Sequence, residues 1–229
     1  MSWLVALDID GTLIDTRPSF DRIVRELSGA TVAELQRFRD TGGFNDDWQL
    51  TRALVSWIGA GRPDIVERCQ GVDDVISWCA HDPGDLAPRC QALYRGGWWR
   101  DEKVLLSGDR LQALSERVAT AACTGRDAWE LARAEELLGF TFPEATTMEH
   151  ARKPDPQALL RLVGDVHDRV VLIGDTQADR LTVQAARRMR RDVTFEFVFA
   201  NHELPAARFV DAVVEGEDID VVARRFCET

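Results

Sequence analysis

The chain reads as an α/β protein, a Rossmann-like doubly wound parallel sheet that carries an inserted all-helical domain. Three observations predict this. A five-residue apolar run at the start, Trp3–Leu7, ends in a pair of acids, as a buried strand does when it delivers side chains to a sheet edge. From Thr120 onward, short apolar runs alternate with helical patterns, the signature of a parallel sheet wrapped by helices. Between these regions, from about Thr16 to about Lys103, the apolar residues keep helical spacing and no strand is evident.

The predicted strands are Trp3–Leu7, Val118–Cys123, Ala145–Met148, Val170–Ile173, Thr194–Phe199 and Ala212–Val214. The helices between them have readable ends. Asp127 with Glu130 forms a capping box, and Gly139 closes that helix. Asp155 starts another with Pro156 at its first position; Leu159, Leu160, Leu162 and Val163 form its apolar face and Gly164 ends it. Leu181, Ala185, Ala186 and Met189 give the apolar face of a third. In the helical stretch, Ile23, Val24 and Leu27, then Leu35 and Phe38, then Trp48, Leu54, Trp57 and Ile58 repeat at helical intervals, and Thr31 with Glu34 is a further capping box. The predicted division is a discontinuous core domain, 1–16 and 104–229, and a helical insert, 17–103. Gly96 and Gly97 are hinge candidates for the return crossing, or a plain surface turn.

Composition narrows the function. The 229 residues suffice for one large domain or a medium domain with an insert, and 45% hydrophobic with 29% charged residues is a soluble globular balance. The net charge of −11 argues against nucleic acid or an anionic membrane as partner, so an anionic substrate has to be met by local positive charge. No apolar stretch approaches membrane-spanning length, and no basic segment precedes an apolar one at the start. The five cysteines are odd in number and lack zinc-type pairing, which predicts buried thiols in a reducing cytoplasm. Neither His-Glu-x-x-His nor Gly-x-Ser-x-Gly occurs, so a zinc or serine hydrolase is poorly supported.

Four loops carry the chemistry. The first strand ends in Asp8-Ile9-Asp10-Gly11-Thr12, which places two carboxylates together at one loop edge. Such neighbours repel unless a cation or shared proton sits between them, so the loop suits a hard divalent metal, acid–base work, or both. Thr124-Gly125-Arg126 follows the second core strand and offers a hydroxyl and open amides to a phosphate oxygen. Lys153 precedes Pro154 and Asp155, and a fourth strand ends in Asp175-Thr176-Gln177-Ala178-Asp179, a second acid pair. Taken singly, each has a plain reading: capping acids at Asp8, Asp10, Asp175 and Asp179, a solvated lysine at Lys153, a strand end at Thr124. Arg126 reads as a surface or helix-start charge.

Together and in this order, the four loops resemble the motifs of the haloacid dehalogenase superfamily. The insert resembles the helical type-1 (C1) cap of its subclass I, as in phosphoglycolate-phosphatase-like hydrolases. The resemblance implies Asp8 as a nucleophile that forms an aspartyl-phosphate, and Asp10 as the acid and then base, with its backbone carbonyl on the metal. It further implies Mg²⁺ held by Asp8, Asp10, Asp175 and Asp179, and a phosphate held by Thr124, Gly125 and Lys153. Dehalogenases of the superfamily lack an acid at the second position and phosphonatases carry alanine there, so Asp10 favours phosphate-ester or mutase chemistry. The expected activity is Mg²⁺-dependent hydrolysis of a small-molecule phosphate monoester. A small-sugar phosphomutase is the closest rival, and a catalytically silent binding protein of the same fold the next. Oligomeric state is not legible.

In the insert, Gly42-Gly43-Phe44-Asn45-Asp46-Asp47-Trp48 is a glycine-led loop entering a helix with an amide, two acids and an indole. Asn45, Asp46, Asp47 and Trp48 are therefore candidates for reading a substrate with positive charge or several donors. The plain alternative is that Asn45 or Asp46 caps the helix and Trp48 packs in the insert's core. The stretch is similar to one in a small branch of type-1-capped phosphatases linked with histidine biosynthesis, which implies an amino-alcohol phosphate such as histidinol phosphate.

Overall fold

The computed structural model describes residues 2–41, 44, 46–200 and 204–227. The chain forms two compact units, one of residues 1–15 and 103–229, the other of residues 16–102.

The first unit is built on β1 (Trp3–Leu7), which is buried along its whole length. Two short strands, β2 (Ile14–Asp15) and β3 (Lys103–Val104), pair antiparallel where the chain leaves this unit and returns to it. The sheet is completed by β4 (Ala119–Cys123), β5 (Glu144–Thr146), β6 (Arg169–Gly174) and β7 (Thr194–Phe199), in the order β5-β4-β1-β6-β7 with every neighbour parallel. Alternation along the strands divides the core in two. Val5, Leu7, Val171 and Ile173 pack with Leu111, Leu138, Phe209 and Val222 on one face. Leu4, Ala6, Val170 and Leu172 pack with Leu159, Leu162, Val183 and Ala186 on the other. Helices thus cover both faces, which is why β1 and, after Arg169, β6 at the centre of the sheet are continuous apolar runs rather than alternating ones.

The second unit is helical: α1 (Arg17–Ser28), α2 (Val32–Thr41), α3 (Asp47–Gly59), α4 (Val72–Cys79) and α5 (Ala87–Arg95), with 3₁₀ turns at Val66–Arg68 and Trp98–Asp101. Among its described residues there is no strand. It has its own core, in which Phe38 meets Phe44 and Trp57 edge-on at 5.2 and 5.4 Å. Thr31 and Glu34 exchange the reciprocal bonds of a capping box, at 2.7 and 3.2 Å.

The core unit's helices are α6 (Gly108–Ser115), α7 (Ala128–Leu138), α8 (Gln157–Val163), α9 (Gln177–Met189), α10 (Leu204–Val214) and α11 (Ile219–Phe226). Asp127 and Glu130 form the expected capping box on α7, with Gly139 in the left-handed conformation at its end. Two expectations are corrected, and a third feature is placed. Ala212–Val214 is the last turn of α10, not a strand: Ala206, Phe209, Val210 and Val213 are buried at helical spacing, and a three-residue apolar run cannot separate the two periods. On α9 the buried residues are Asp179, Thr182, Val183 and Ala186, while Leu181 and Met189 are 37% and 58% exposed. Gly96 and Gly97 lie inside the helical unit, between α5 and the following 3₁₀ turn, several residues before the chain re-enters the core unit at Lys103.

Candidate active site

Three parallel strands end side by side. β1 runs into Asp8, β4 into Thr124 and β6 into Asp175, at the carboxyl edge where doubly wound sheets gather ligands. The ladder extends into the motif residues: the Asp8 amide donates to the Ile173 carbonyl at 2.9 Å, and the Thr124 amide to the Thr146 carbonyl at 2.9 Å. After Asp8 the chain turns at once, with the amides of Thr12, Leu13 and Ile14 all donating to the Ile9 carbonyl. Gly11 sits in this turn at φ +70°, and a Cβ there would run into the Asp175 carboxylate. Gly174 does the same for Asp179, whose Cγ lies 2.5 Å from where a Cβ would stand. Two missing side chains make room for two acids.

Lys153 links the loops. Its Nζ lies 2.7 Å from Asp8 Oδ1 and 2.5 Å from Asp179 Oδ1, with all three side chains buried. The other oxygen of Asp179 accepts from the Thr176 amide at 3.0 Å and from the Thr176 hydroxyl at 2.5 Å. Thr176 and Asp179 are thus the capping box of α9. Asp175 Oδ1 is buried and has no hydrogen-bond partner among the described residues. Asp8, Asp175 and Asp179 each bring a carboxylate oxygen within 4.8 Å of the others.

Three carboxylates therefore face one ammonium. Burial pushes the Asp8 carboxyl well above its usual range; Lys153 opposes this, and Asp179 and Asp10 add to it. Burial, followed by the Asp179 charge, raises Asp175 to about 6. For Lys153 burial works downward, but Asp8 and Asp179 outweigh it and hold the ammonium firmly protonated. A pocket with this excess of carboxylate oxygen, one of them without a partner, fits a hard divalent cation.

Thr124 is buried, and its hydroxyl accepts from the Arg126 amide at 3.2 Å. Gly125 is exposed, with open space where a side chain would stand. Arg126 departs from the sequence expectation of a surface charge. It is 2% exposed, and its Nε and Nη2 lie 2.8 and 2.7 Å from Asp10 Oδ1. The signal for it was indirect: a loop with two acids, facing the end of a neighbouring strand that is followed directly by an arginine.

In the helical unit, Asp46 caps α3, accepting from the amides of Trp48 at 2.9 Å and Gln49 at 3.0 Å. Asp47 pairs with Arg39 at 2.6 Å, and the same Nη2 reaches Asp21 at 2.7 Å. Trp48 meets Phe20 edge-on at 5.4 Å. Both acids are already engaged within their own unit, and Trp48 has a ring partner there as well. Gly42, Gly43 and Asn45 lie outside the described residues.

Among the described residues, no helix is long and apolar enough to cross a membrane. No curated protein matches the chain significantly in sequence. Solved structures do. The phosphatase Tt82 from Thermococcus thioreducens is 26% identical, with 93% of this chain and 99% of that one covered at a TM-score of 0.77. A haloacid dehalogenase-like hydrolase from Streptococcus pneumoniae is 14% identical over 86% of this chain and 83% of that one, at a TM-score of 0.56. A Thermotoga maritima protein provisionally named beta-phosphoglucomutase is 17% identical over 91% and 99%, at 0.52, a likeness of fold. The model of the haloacid dehalogenase-like hydrolases matches residues 4–187, a span that contains all four motif loops, and the chain belongs to that family.

Proposed function

We propose that this hydrolase is a phosphatase that cleaves phosphate monoesters of small molecules through an aspartyl-phosphate on Asp8. The observation that carries the reading is the placement of Lys153 Nζ 2.7 Å from Asp8 at the junction of three strand ends, which puts a fixed positive charge beside a buried carboxylate. The overall likeness to the Tt82 phosphatase supports the same class. In the first step an Asp8 oxygen bonds to phosphorus as the bond to the leaving oxygen breaks, and Asp10 gives that oxygen its proton. In the second, water bonds to phosphorus, Asp10 takes a proton from it, and the Asp8–phosphorus bond breaks to release inorganic phosphate. Lys153, the Thr124 hydroxyl and the Gly125 amide hold the phosphoryl oxygens as charge shifts between them.

The partnerless Asp175 Oδ1 beside Asp8 supports a cation at this point. Asp8, Asp175 and the Asp10 carbonyl would hold Mg²⁺, which when bound supplies positive charge to the transferring group. Asp179 spends one oxygen on Lys153 and the other on Thr176, so its part is to position Lys153 and the loop. The free thiols of all five cysteines support a reducing, cytoplasmic setting. Hydrolysis of p-nitrophenyl phosphate with and without Mg²⁺ tests the reading, and a panel of metabolite phosphates assayed for inorganic phosphate tests the substrate class. Isomerised sugar phosphate without phosphate release would make the protein a mutase, and no turnover of any ester would make it a scaffold.

A further inference from the structure

We infer that Arg126 is a positioning residue for proton transfer, a buried guanidinium that fixes Asp10 through one oxygen and leaves the other to carry the proton. The inference rests on the acid–base role proposed for Asp10. Arg126 Nε and Nη2 both converge on Asp10 Oδ1, at 2.8 and 2.7 Å. The arginine itself is held on several sides. Its Nη1 donates to the Glu130 carbonyl in the first turn of α7 at 3.3 Å, and its amide donates to Thr124 Oγ1 at 3.2 Å. Its carbonyl accepts from the Met148 amide at 3.0 Å. The guanidinium is anchored in the strand-end loops and transmits that anchorage to Asp10.

The pair is asymmetric. The Arg126 side chain is 2% exposed, whereas that of Asp10 is 35% exposed. A guanidinium taken out of water is costly unless matched, and Asp10 supplies the match. Here the acid reaches toward solvent while its partner stays inside. Arginine also suits the task better than lysine, because its planar fork fixes the direction of the carboxylate as well as its distance. With Oδ1 held, Oδ2 is the oxygen available to a leaving group or water, and a proton donor fixed in place recovers part of the entropic cost of transfer.

The test is a double-mutant cycle read in single turnovers. Phenol release is measured from phenyl phosphate, whose leaving oxygen gains from protonation, and from 2,4-dinitrophenyl phosphate, whose leaving oxygen does not. The variants are Arg126→Gln, Asp10→Asn and the two combined. Arg126→Gln is expected to slow phenyl phosphate cleavage about 10- to 100-fold, within the usual range of general-acid contributions, and dinitrophenyl phosphate cleavage less than about threefold. In the Asp10→Asn background the arginine change should add less than about threefold. Arg126→Lys should recover part of the loss, and it takes the place of Arg126→Gln in the cycle if the latter does not fold. Equal slowing of both substrates, or losses that multiply in the double variant, overturns the inference and makes Arg126 a structural residue. If Asp10→Asn alone leaves phenyl phosphate cleavage intact, the acid–base reading of Asp10 fails, and this inference with it.

Discussion

The Asp175 carboxylate fills the volume that a side chain on Gly11 would occupy, so the first and fourth motif loops are interlocked through an absent Cβ. Gly11→Ala should therefore carry two penalties: about 1 kcal/mol for a non-glycine residue at φ +70°, and a collision that displaces Asp175. Gly29 is the control, since it has φ +72° with open space around it. Thermal melts should show Gly11→Ala losing clearly more stability than Gly29→Ala, and turnover should fall only in the first. Equal losses of stability in the two variants would contradict the interlock.

Asp8 is the residue on which hydrolysis turns. Asp8→Asn removes the attacking oxygen while keeping shape, and it lowers the charge excess around Asp175 and Asp179. We expect a folded protein whose turnover of p-nitrophenyl phosphate falls by about 10³ or more, more than a positioning residue commonly accounts for. Mass spectrometry of acid-quenched wild-type protein should show a phosphoryl group that is missing from the variant. Near-normal activity in purified Asp8→Asn would remove the nucleophile assignment.

The sheet and its carboxyl edge were legible because a strand buried on both faces must be a continuous apolar run, and Trp3–Leu7 and Val170–Ile173 have that form. The residues just past such a run emerge at the sheet edge, so Asp8, Thr124 and Asp175 could be placed without knowing the strand order. Other features were hidden for specific reasons. An arginine is read as surface by default, and only the threading of Arg126 back toward Asp10 shows otherwise. The Thr176–Asp179 capping box lay within an acid pair already explained by metal binding. Leu181 and Met189 drew the apolar face of α9 toward themselves, although Val183 and Ala186 are the residues that pack. The cap acids were ambiguous because Asp before a helix serves equally well as a cap or as a ligand-facing charge.

The partnerless oxygen of Asp175 leads to a test that does not need activity. Adding Mg²⁺ to metal-stripped protein should raise the melting temperature, and the rise should grow with the logarithm of concentration above saturation. At 100 times the dissociation constant the gain is about 2.7 kcal/mol, a shift of about 5–10 °C for a protein of this size. Asp175→Asn should melt with a much smaller dependence on Mg²⁺. The same rise in both proteins would place the cation elsewhere.

Asp47 gives a pH dependence that belongs to the helical unit alone. Burial raises its carboxyl from 3.8 to about 6, and the facing Arg39, although 2.6 Å away, offsets only part of this. Between about pH 4 and 6 the folded chain therefore binds a proton that the unfolded chain has released. The stabilisation from this group is complete below pH 4, falls as pH rises through about 6, and changes no further above that. The full shift corresponds to at most about 3 kcal/mol, and with the Asp47 side chain 19% exposed about 1–2 kcal/mol is the realistic size. Asp47→Asn cannot titrate. The stability of wild type minus that of Asp47→Asn, from urea unfolding at several pH values, should thus decline between pH 4.5 and 7 and then stay level. Titrating groups remote from Asp47 contribute equally to both proteins and cancel in the difference. Asp21, which shares the Arg39 guanidinium, and Asp46, which also acts on Asp47, are coupled to it and are replaced by asparagine in both proteins for the comparison. Parallel curves across the whole range would mean that the Asp47 carboxylate is ionised throughout and that Arg39 fully offsets its burial.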